Sequence, residues 1–137
     1  MTQEVKQKKG LNITLWVLQV LLAAMYLMAG YQKTFGDLDV IVKTIFWVGY
    51  TPALLVRFIG TSELLAAIGL ILPAALKIRP QLTTLAAAGI STIMLLANLM
   101  HAYRGEFFVL PMTLPILLLA AFVAYGRWKL APIAQKG

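Results

Sequence analysis

The sequence predicts an all-α integral membrane protein: a single four-helix bundle with both termini cytoplasmic and a short interfacial helix between spans one and two. Three observations predict it. Of the 137 residues, 61% are hydrophobic and only 12% are charged, about half the charged share of a soluble domain. The apolar residues gather in four runs, 11–31, 53–76, 82–103 and 107–126, each long enough to cross ~30 Å of hydrocarbon as a helix. The formal net charge of +7 is also sorted by loop. Lys6, Lys8, Lys9, Lys77, Arg79, Arg127, Lys129 and Lys136 fall in alternate loops. The opposite loops hold Lys33, Lys43 and Arg104, offset by Asp37, Asp39 and Glu106. That asymmetry is the positive-inside pattern. The basic balance is therefore a topology signal with a weak attraction to anionic headgroups, and no nucleic-acid partner is expected.

Residues 1–10 form a basic cytoplasmic tail. KQKK followed by an apolar core outlines a signal peptide, but the core is too long and no A-x-A site follows, so an uncleaved first span is expected. Span one closes at Gly30-Tyr31-Gln32-Lys33, where the lysine can snorkel to the outer headgroups. Residues 38–49 are too short to cross. Leu38, Ile41, Val42, Ile45 and Phe46 share a helical face, and Asp37 is placed to cap it. A strand is the competing reading, because Val40-Ile41-Val42 is β-branched, but a lone strand beside lipid leaves its backbone unpaired. A surface helix lying over the bundle like a lid is preferred, with Trp47 and Tyr50 as interfacial rings.

Span two ends near Pro73, and Lys77-Ile78-Arg79-Pro80 turns the chain back. Span three carries the small run Ala86-Ala87-Ala88-Gly89, which lets helices approach closely. Span four holds Pro111 and Pro115, where a kink is expected. Residues 127–137 form a second basic tail.

Glu63 stands out because it lies near the middle of span two. An ionisable group at that depth costs at least ~2.5 kcal/mol, so it has a partner or a task. Counting ~1.5 Å per residue, Lys33, Arg57, Glu63, Asn98 and His101 all fall in the outer half of the bundle, a candidate ligand or proton site. Arg57 is six residues from Glu63, so a partner on another helix is expected: Lys33, Asn98 or His101. Each residue also has a plainer role. Glu63 can be a structural clamp, Arg57 and Lys33 can snorkel, and His101 can be a satisfied interfacial group. Gln19, in the other half of span one, looks like an isolated interhelical hydrogen bonder.

Enzyme signatures are missing. There is no cysteine and a single histidine, which argues against disulfide, iron–sulfur, haem and ordinary zinc chemistry. A metal held by Glu63, His101 and Asn98 makes a weak set, and none is expected. No phosphate loop or nucleophile elbow appears.

Taken together, the chain resembles the DoxX-like family of small four-span membrane proteins. The resemblance rests on Ala29-Gly30-Tyr31-Gln32-Lys33, Val48-Gly49-Tyr50-Thr51-Pro52, Gly60-Thr61-Ser62-Glu63-Leu64-Leu65, Gly69-Leu70-Ile71-Leu72-Pro73, and then Asn98 and His101. It implies a four-helix bundle with the acid of span two inside. It also implies a redox neighbourhood, since some members are similar to small subunits of thiosulfate:quinone oxidoreductase and others are linked to oxidative stress. The expectation is an accessory protein of the bacterial inner membrane with no cofactor motif of its own. It would hold a quinone- or lipid-like ligand near Glu63, or contact a membrane redox partner or a second copy. The alternatives are a proton-coupled carrier or relay using Glu63 and His101, and a membrane-bound oxidoreductase subunit.

Overall fold

The computed structural model describes residues 3–134, with side chains from Lys9 onward. The expected basic positions Lys6, Lys8 and Lys136 lie outside the described side chains. Among the described residues, four helical stretches are long and apolar enough to cross a membrane, the fourth running over Phe107–Leu130. Their main helices are α1 (Gln3–Phe35), α3 (Ala53–Leu76), α4 (Gln81–Tyr103) and α5 (Leu110–Tyr125), with a short α2 (Leu38–Ile41) between the first two. A 3-10 turn at Phe107–Val109 leads into α5 and a π turn at Gly126–Leu130 extends it. No strand occurs among the described residues.

The four-span, all-helical bundle expected from the runs is present. Helix α1 begins well before the apolar run, at Gln3, so most of the segment read as a tail continues the helix. Helix α3 packs against both α1 and α4, α5 packs against α4, and a narrower α1–α5 contact closes the bundle.

Burial on α3 sets the phase of the whole molecule. Val56, Gly60, Glu63, Ala67, Leu70 and Ala74 are its buried residues, at alternating spacings of four and three. That is the seam pattern of helices crossing at a shallow angle. Gly60, Ala67 and Ala74 recur every seventh residue, so the seam is small where its neighbours come closest. Glu63 stands between Val56 and Leu70 in the larger row. Its burial follows from its place in the seam. Leu15, Leu22, Leu70, Ile90 and Val123 are wholly buried and form the dry centre. Many other large apolar side chains, Leu54, Leu65, Leu85 and Leu118 among them, are exposed, as a lipid-facing surface requires.

Helix α3 stops through its backbone. Lys77 adopts a left-handed φ of 56°. Its N–H and that of Ile78 return to the carbonyls of Ala74 and Pro73, closing the last turn.

The segment read as one helix over 38–49 is instead two pieces. Asp37 does cap the start, with Oδ1 accepting from the Asp39 N–H at 2.9 Å. The α-helix ends at Ile41, and a separate 3-10 turn covers Phe46–Tyr50. The β-branched run Val40-Ile41-Val42 disfavours continued helix, and Ile45 leaves the helical region at φ −114°, ψ 86°. The apolar face survives the break. Ile41 and Val48 bury against Val56 of α3, which lays the segment across the end of the bundle.

Candidate functional site

Lys33 occupies the last turn of α1 and Glu63 the middle of α3. Lys33 Nζ donates to Glu63 Oε1 at 2.6 Å, with the two side chains only 9% and 6% exposed. Of the three partners weighed for Glu63, the fold selects Lys33. The ammonium also lies 5.2 Å from the ring centre of Trp47, so the aromatic face shares its charge. A cavity of about 140 Å³ opens beside this pair, lined by Lys33, Trp47, Tyr50, Glu63, His101 and Thr113, among others. The second carboxylate oxygen, Glu63 Oε2, is buried and accepts no hydrogen bond. A buried group left that way costs ~1–3 kcal/mol or more, a cost set against the Lys33 contact on Oε1.

His101, from the last turn of α4, lines the same cavity but turns its Nδ1 to Glu106 Oε1 at 2.9 Å. An ionised carboxylate only accepts, so the Nδ1 proton is fixed by Glu106 and Nε2 is the ring's remaining polar atom. Tyr50 donates its hydroxyl to both Glu106 oxygens at 3.0 Å. The Arg104 guanidinium covers the Tyr50 ring at 3.9 Å. The His101 hydrogen bond, aided by Tyr50 and the Arg104 charge, holds the Glu106 carboxyl below its ordinary range. Burial, followed by the Glu106 contact, pushes the Tyr50 phenol up. Tyr50 and Glu106 thus latch the segment after α2 to the α4–α5 loop, over the mouth of the cavity.

Two of the five expected site residues lie apart. Arg57 spends Nη1 on the carbonyls of Lys33 (3.1 Å) and Gly36 (2.7 Å), capping the C-terminus of α1. Asn98 donates to its own helix at Met94 O and accepts from Thr113 Oγ1 at 2.7 Å, joining α4 to α5. The cavity therefore gathers Lys33, Glu63 and His101, and neither Arg57 nor Asn98 lines it.

Sequence reasoning missed Glu106 as the partner of His101, reading it as a loop charge. Its position five residues after His101, across Gly105, was the available signal. Trp47 and Tyr50, expected as interfacial rings, also line the cavity. Gln19 is not isolated. Its Nε2 donates to Leu70 O, and its Oε1 accepts from Arg127 Nε, both at 2.6 Å. Arg127, expected in the second basic tail, is only 4% exposed. The π turn swings it back between the helices.

A second, larger space adjoins the cavity. A groove of about 550 Å³ runs past Phe46, Phe108, Val109 and Met112, and shares Trp47, His101 and Thr113 with the cavity as common walls. Phe46 stacks at a tilt on both His101 and Phe108, with centroids 5.9 and 5.4 Å apart. A small chamber beside the Lys33–Glu63 pair and a larger groove thus meet at three residues.

No curated protein and no solved structure matches the chain. The model of the DoxX-like family matches residues 17–125, from the middle of α1 to the last residue of α5, and the chain belongs to that family.

Proposed function

We propose that this DoxX-like membrane protein holds an amphipathic, quinone- or lipid-like molecule near Glu63, as an accessory component of a membrane redox or oxidative-stress assembly. In this reading it resides in a bacterial inner membrane with both termini cytoplasmic, and the latch end faces outward. The observation that carries the reading is the shared wall of Trp47, His101 and Thr113 between a chamber that holds the Lys33–Glu63 pair and a groove lined by Phe46, Phe108 and Met112. A ring-sized head fits a chamber of about 140 Å³, the scale of cavities that hold benzene. There it meets the Lys33 ammonium and the His101 ring, while an apolar tail follows Phe108 and Met112 outward. The chain contributes binding and orientation, and any electron-transfer centre belongs to a partner.

The test is thermal unfolding of the full chain in nanodiscs with a long-tailed benzoquinone, a tail-less benzoquinone and a polyisoprenol. Only the molecule with both head and tail should raise the midpoint strongly, and Thr113→Trp, which fills the shared wall, should abolish the rise. Equal effects of all three, or none, would end this reading.

A second reading is favoured by one observation: Glu63 and His101 line a common chamber. They would then pass protons between the bundle interior and the His101 end. Proteoliposomes should show a pH-driven flux that Glu63→Gln abolishes while the protein still folds. Unchanged flux in that variant removes the relay.

A further inference from the structure

At the end of the bundle opposite the latch, Arg127 is buried without a carboxylate partner among the described residues. Its Nε donates to Gln19 Oε1, and Nη1 donates to Asn12 Oδ1 at 2.7 Å and Ala131 O at 2.9 Å. Nη2 reaches only Asn12 O, at 3.4 Å, beyond the usual N–H···O range of ~2.7–3.2 Å. All of Arg127's described hydrogen-bond partners are neutral, so its positive charge is held in place but not neutralised. Lys9, Lys77, Arg79 and Lys129 surround the same end, whereas the acids whose side chains are described, Asp37, Asp39, Glu63 and Glu106, all lie toward the latch or in mid-bundle.

Arg127 forms part of the wall of a groove of about 420 Å³, together with Gln81, Thr84, Ala88 and Trp128. Helix α4 starts at this groove, at Gln81, with no side-chain cap, and the N–H groups of Leu82 and Thr83 return to the carbonyls of Arg79 and Pro80. The positive end of the helix dipole adds to the attraction for an anion here. The groove continues into a second one of about 450 Å³, sharing Thr84, Ala88 and Trp128 with it and floored by Ser91, Ala121 and Ala124. A cationic, donor-rich head region thus opens onto a shallow apolar channel between α4 and α5, with an indole at the junction.

We propose that this groove is a binding site for one anionic phospholipid. The phosphodiester sits against the Arg127 guanidinium and the start of α4, and an acyl chain lies over Ala88, Ala121 and Ala124. The charge complementarity identifies the occupant. A zwitterionic lipid would bring a second cation into a region already holding five, and a partner helix would leave the Arg127 charge unanswered. This site is separate from the chamber at Glu63 and does not depend on what binds there.

The experiment is native mass spectrometry of the full chain in detergent, titrated with dioleoyl phosphatidylglycerol, dioleoyl phosphatidylcholine or inorganic phosphate. One phosphatidylglycerol should be retained at concentrations about tenfold or more below those needed for phosphatidylcholine, and inorganic phosphate should not displace it. Ala88→Phe fills the groove from an exposed position and leaves Arg127 in place, so it should fold and lose the preference. Arg127→Gln should lose it too. Equal retention of the two lipids overturns the proposal, as does undiminished phosphatidylglycerol binding by Ala88→Phe. So does loss of a dimer in that variant without loss of lipid, which would make the groove an interface between copies.

Discussion

Gly30 and Gly60 face each other where α1 crosses α3, at a distance that admits no side chain on either. A Cβ on Gly30 would lie 2.7 Å from the Gly60 carbonyl oxygen, and one on Gly60 would lie 2.6 Å from Cβ of Lys33. Lys33 and Glu63 each follow their glycine by three residues, so the close crossing brings the two charges within 2.6 Å of each other. Small residues allow this approach where lipid supplies no hydrophobic force to drive it. Gly60→Ala should therefore loosen the helix pair and destabilise the protein by about 1–3 kcal/mol. Gly89 has nothing within 4 Å of its Cβ position, so Gly89→Ala should be neutral or stabilising by about 0.5–1 kcal/mol. Denaturant titrations in detergent compare the two, and equal effects would refute the role of the crossing.

The ion pair should respond asymmetrically to mutation. Glu63→Gln leaves the Lys33 ammonium buried beside a neutral amide, an uncompensated charge that costs about 3–5 kcal/mol. Replacing both together, Lys33→Met with Glu63→Leu, removes the need for charge pairing and should cost less than either single change. A double-mutant cycle of unfolding free energies measures the coupling. Additive losses would mean that the two residues do not act as a pair.

The latch has a pH window with a definite sign. Glu106 is held below its ordinary value of 4.5 in the folded protein. Its contribution is therefore complete above about pH 4.5 and is lost as the pH falls through the lower folded value. Tyr50, raised above 10.0, keeps its donating proton beyond the usual tyrosine range. In a variant retaining Trp47 as its one tryptophan, acrylamide quenching should rise when the pH drops below 4.5. Tyr50→Phe should raise quenching at neutral pH and flatten the acid response.

Arg57 should prove a cap with no part in ligand binding. Its Nη1 reaches the carbonyls of both Lys33 and Gly36, from the end of a side chain one bond longer than that of lysine. Arg57→Lys should lower stability by about 1 kcal/mol and leave quinone-dependent stabilisation unchanged. A selective loss of ligand response with stability intact would return Arg57 to the site.

By itself, the sequence determined the membrane class, the number of spans and the family, because hydrocarbon thickness and backbone pairing leave few solutions for four apolar runs of this length. It also marked Glu63 as the residue needing an explanation and Asp37 as a cap, since burial depth and capping are read locally. The phase of each helix was hidden, because on an almost uniformly apolar span the inward seam shows only in small residues such as Gly60, Ala67 and Ala74. Only the tertiary structure decided that Lys33 answers Glu63, that His101 belongs with Glu106, and that Asn98 and Arg57 serve neighbouring joints. It alone turned Arg127 from a tail charge into a buried one. The physical reason is the same throughout. A polar group's partner is chosen by which helices cross closely and in what rotation, and those are properties of packing between segments far apart in the chain.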